Sequence, residues 1–67
     1  SSDLSEKICA RLKEVGVCPA NLTERVHLAM NLVQSFSHEY VFDNHDYIDY
    51  SAMHEIVCNT IINLFKI

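Results

Sequence analysis

The chain has 67 residues, a net charge of −4, 49% hydrophobic residues, one Gly and one Pro. That length allows a single domain, 1–67, which on folding hides only about 60% of the surface its unfolded form exposes; two cores are excluded, and stability without a staple or a partner is marginal. The apolar fraction excludes disorder, the scarcity of Gly and Pro points away from a turn-rich β fold, and the acidic balance disfavours contact with phosphate backbones or anionic membranes.

The spacing predicts three helices, at about 4–15, 21–38 and 47–66. In the first, Leu4, Ile8, Leu12 and Val15 recur at three- and four-residue steps, and Asp3 with Glu6 has the pattern of a capping box. Gly16 is placed to supply the left-handed residue that ends a helix, with Val17 packing back on Leu12 and Pro19 preventing immediate resumption. Asn21 with Glu24 repeats the capping-box pattern ahead of the second stripe, Val26, Ala29, Met30, Val33 and Phe36. The short connection from Gly16 to Asn21 makes the first two helices spatial neighbours.

Residues 37–46 (SHEYVFDNHD) lose the helical period and read as a loop pinned by aromatic rings, with a turn near Asp43-Asn44. Asp46, Asp49 and Ser51 are each competent to cap the third helix. That helix, AMHEIVCNTIINLFKI from Ala52, is the most informative stretch of the chain because it is apolar on more than one face. Met53, Ile56, Val57, Thr60, Ile61 and Leu64 form one stripe, while Ile62, Phe65 and Ile67 spread onto another.

The expected fold is therefore all-α: a small domain with helices 1 and 2 antiparallel, helix 3 crossing both, and a dimer formed by helix 3. Its expected core takes Leu4, Ile8, Leu12, Val26, Ala29, Leu32, Val33, Phe36, Met53, Ile56, Val57, Ile61 and Leu64. With one face of helix 3 used to close that core, Ile62, Phe65 and Ile67 are left without cover. Tyr47 and Tyr50, set among Asp46 and Asp49, join them as the expected interface. The partner is then a second copy, or a helical or basic protein whose charge the acidic aromatic loop steers and whose apolar groups the rings anchor.

No pattern points to catalysis, a cofactor or a metal. The loop cluster His38, Glu39, Asp43, His45, Asp46 and Asp49 has ligand chemistry but none of the spacing of a zinc or calcium site. His54 and Cys58 share a helical face, yet one turn of helix offers neither a cleft nor an orienting group for a nucleophile. His27, His38, His45 and His54 read as ordinary exposed imidazoles. Cys9, Cys18 and Cys58 are an odd, unpaired set, which fits reduced thiols in a cytoplasmic or nuclear protein; the start, SSDLSEKICARL, lacks the basic and apolar runs of a secretory leader. The C-terminal run carries Asn59, Asn63 and Lys66 and falls short of a membrane span. The function these features favour is non-enzymatic, a protein-interaction or dimerisation module. The alternative is a small regulatory protein acting on nucleic acid or the transcription machinery, for which direct contact is disfavoured because helix 2 offers only Arg25 as a cation and helix 3 only Lys66.

Overall fold

The computed structural model describes residues 2–66, and the side chains of residues 4–66. Three helices account for nearly all of it: α1 (Ser2–Glu14), α2 (Leu22–Phe42) and α3 (Tyr50–Leu64), with no strand among the described residues. The chain is a small all-α domain. Asp3 lies within α1 rather than ahead of it, and its side chain falls outside the described residues.

Helix α1 ends in a Schellman motif. Gly16 sits at φ 84°, its N–H donates to Lys13 O at 3.1 Å, and the Val17 N–H donates to Leu12 O at 2.8 Å. An L side chain rarely adopts that backbone conformation, which is why the sequence places glycine there.

The start of α2 differs from the capping box expected of Asn21 and Glu24. Asn21 itself adopts the left-handed region, φ 58° and ψ 45°, and its side chain makes no capping hydrogen bond. An amide side chain tolerates that backbone region, and there Asn21 turns the chain into the helix without reaching back to its free N–H groups. Arg25 braces the entry instead, its Nε donating to Ala20 O at 2.7 Å.

Helix α2 also runs further than the lost periodicity suggests, taking in Tyr40, Val41 and Phe42. Ring pairs at helical spacing support the extension: Phe36 and Tyr40 are stacked at 6.1 Å, and His38 and Phe42 lie 5.3 Å apart. The Asp43 N–H donates to Glu39 O and Asn44 Nδ2 to Tyr40 O, so two of the carbonyls of the last turn are satisfied at the new end. The connection to α3 is only Asp43–Asp49, and Asp49 caps α3, its Oδ1 accepting from the Ala52 N–H at 3.1 Å. Tyr47 thus precedes the third helix instead of opening it.

Both flanking helices run antiparallel to α2. Ser5 meets His27 at 3.1 Å while Cys9 packs on Leu22 and Val26. Tyr50 meets Tyr40, and at the far end of α3 Leu64 O accepts from Arg25 Nη1 at 2.9 Å. Helices α1 and α3 do not pack on each other, so α3 lies along α2 alone and does not cross both helices. The three helices form a layer measuring 41 × 26 × 16 Å.

The core is correspondingly thin. Cys9, Leu22 and Val26 are buried, Val26 to 1% exposure, with Ile8, Leu12, Met30 and Phe65 packed around them. Several expected core residues lie outside it: Leu4 is 55% exposed, Val33 48% and Ile56 64%. Their stripes are apolar as read, but a layer one helix deep cannot enclose them. Phe65 is the converse case. At the turn that ends α3 it swings onto the Cys9–Leu22–Val26 cluster, so it has intramolecular cover that the sequence reading did not give it.

Candidate functional site: an apolar groove and an aromatic cleft

Two concavities follow from this layering. The first is an open groove of about 310 Å³ whose floor is Ala29, Met30, Val33 and Gln34 of α2, with Leu4 of α1 on one wall and Ile61 of α3 on the other. It exists because α1 and α3 stand on either side of α2 without meeting. Its lining is almost wholly apolar, with Gln34 the single polar residue.

The second is a cleft of about 440 Å³ further along the α2–α3 seam, lined by Phe36, Tyr40, Tyr50, Ser51 and His54. The rings hold one another. Tyr50 lies edge-on to Phe36 at 6.4 Å and to Tyr40 at 5.5 Å, and Phe36 and His54 are 5.8 Å apart. The Tyr50 hydroxyl donates to Glu39 Oε2 and accepts from the His45 N–H, both at 2.9 Å, which ties the connecting loop to both helices. Loss of hydration, with the Glu39 and Asp43 carboxylates beside it, holds the Tyr50 phenol above its ordinary range; the His45 N–H pulls the other way.

The residues expected at an interface are dispersed. Tyr50 is engaged inside the molecule, and Phe65 packs on the core. Tyr47 is 82% exposed, stacked on His45 at 5.2 Å, and Ile62 is exposed on α3. Ile67 lies outside the described residues. What the sequence reading missed is the pairing of Phe36 and His54 with the two tyrosines. The signal was available in the i,i+4 spacings Phe36–Tyr40 and Tyr50–His54.

The chemistry of the remaining polar groups is limited. Among the described residues no three His, Cys, Asp or Glu side chains converge on a position fit for a metal ion. His45 Nε2 stands 3.6 Å from Asp43 Oδ2 in the loop. Cys9, Cys18 and Cys58 are free thiols. Cys58 Sγ is 3.8 Å from His54 Nε2 and 4.0 Å from Nδ1. Such similar distances set the sulfur against the ring rather than in line with either nitrogen, which is not the alignment of a base activating a nucleophile. No helix of the described residues is long and apolar enough to cross a membrane. No family model matches the chain, and comparison with curated proteins and with solved structures finds no match.

Proposed function

We propose that this domain is a non-enzymatic interaction module that associates with a second copy of itself through the open apolar groove. The observation that carries the reading is the incomplete layer. An accessible surface of 5073 Å² compares with about 4,300 Å² expected of a compact monomer of this mass. The radius of gyration, 13.7 Å, likewise exceeds the roughly 11 Å expected for this length. The excess, on the order of 700 Å², is close to the approximately 800 Å² that each partner contributes to a standard interface.

Packed layers are the ordinary remedy for a helix stripe left uncovered, and a second copy supplies an identical stripe across a two-fold axis. Leu4, Val33 and Ile61 are then the central anchors. Ile62, next to Ile61 in the chain and exposed, is a candidate for the rim. Light scattering tests the idea. The parent should have twice the 7.7 kDa chain mass at micromolar concentration. Val33→Asp should be a folded monomer, because a carboxylate cannot be buried there unpaired. A parent of single-chain mass, or a Val33→Asp variant that stays dimeric, overturns the proposal.

A further inference from the structure

We propose that the aromatic cleft at the α2–α3 end is a docking site for an arginine side chain carried by a basic segment of another protein. The cleft is lined by Phe36, Tyr40, Tyr50 and His54, together with Ser51. Ring faces of this kind attract a cation and stack well on a planar guanidinium.

Charge selects the occupant. From Val26 through Phe65 the chain contains no Lys or Arg, while Glu39, Asp43, Asp46, Asp49 and Glu55 all fall in that stretch. Arg25, the nearest cation in sequence, is committed to Ala20 O and Leu64 O at the opposite end of α2. Glu39 is held beside the cleft by the Tyr50 hydroxyl, which uses Oε2 only; Oε1 carries no hydrogen bond among the described residues. A guanidinium over the rings has that oxygen to donate to, and a neutral or acidic group has nothing to neutralise the Glu39 and Asp43 carboxylates beside Tyr50. An ammonium satisfies the charge but lacks the planar face that stacks on a ring and the second N–H that a guanidinium can offer Glu39.

This site is separate from the groove proposed for self-association, since it shares none of its lining residues. The test is a titration of the isotope-labelled chain with an acetylated, amidated Arg-Gly-Arg-Gly-Arg peptide, followed by backbone amide NMR. Citrulline-for-Arg and Lys-for-Arg peptides serve as controls. Saturable shifts are expected at Tyr40, Tyr50, Ser51 and His54, with no saturation by the citrulline peptide and weaker binding of the lysine peptide. Tyr40→Ala should weaken binding roughly three- to thirty-fold, the range of one cation–π contact. Glu39→Gln, whose amide oxygen still accepts from Tyr50, should weaken it while leaving the melting curve unchanged. If Tyr40→Ala fails to fold, Glu39→Gln carries the test alone. Shifts spread evenly over the acidic surface, equal binding of the lysine peptide, or undiminished binding by folded Glu39→Gln overturn the proposal. Dimer mass in the same sample reports on the groove independently.

Discussion

Val26 is the one side chain among the described residues that is fully enclosed, at 1% exposure, in a cluster built by Cys9 and Ile8 from α1, Leu22 and Met30 from α2, and Phe65 just beyond α3. Truncation to alanine removes two methyl groups, worth about 1.6 kcal/mol in lost transfer energy, and the cavity left behind raises the cost to roughly 2–3 kcal/mol. A domain of this size has about 3–10 kcal/mol in all. Val26→Ala should therefore lower the melting temperature by approximately 8–20 °C and move the urea midpoint without changing the slope. The informative comparison is Ile56→Ala at the same protein concentration. Ile56 was an expected core residue by spacing, yet it is 64% exposed, so its truncation should cost under about 0.5 kcal/mol. A Val26→Ala variant within that same margin of the parent would refute the placement of the core. So would an Ile56→Ala variant as unstable as Val26→Ala.

Two further outcomes follow from local geometry. Gly16→Ala should destabilise by about 1 kcal/mol, read from the urea midpoint, purely through its backbone: φ is 84° and a Cβ there meets nothing within 4 Å. D-alanine at the same position in a chemically synthesised chain should raise stability instead, since it accepts positive φ and restricts the unfolded chain. The Tyr50 phenol, raised in the folded state, binds its proton more tightly there than in the unfolded chain. Its contribution is therefore fully present below its ordinary value of 10.0 and is lost as pH rises through the folded value. Alkaline denaturation should steepen in that window for the parent and not for Tyr50→Phe, as followed by circular dichroism; identical alkaline limbs would remove Tyr50 as the cause.

Much of the fold is legible along the chain because it is decided within a few residues. Gly16 followed by Val17 specifies a Schellman turn wherever a helix arrives, since only glycine takes that conformation freely and the two N–H donors are already in reach. Asp49 caps α3 through a bond to Ala52, three residues on, and the apolar stripes of all three helices were readable from their period. Which stripe becomes interior is not a local property. Leu4 and Val33 have the same aliphatic character and helical spacing as Ile8 and Val26, and only the arrangement of α1 and α3 on either side of α2 separates exposed from covered.

The same distinction explains the other departures. Helix α2 persists through Tyr40 and Phe42 because rings one turn apart pack on each other and Tyr50 docks from α3, contacts that no polar sequence pattern announces. Phe65 turns inward because the chain, once past Leu64, bends over the cluster that α1 and α2 have built. Sequence determined the three helices, the stop of α1 at Gly16 and the cap of α3 at Asp49, through backbone conformation and hydrogen bonding over four or five residues. Tertiary structure alone decided the groove, the cleft and the small core, because burial depends on which helix lies alongside, and that is fixed by the packing of the whole layer.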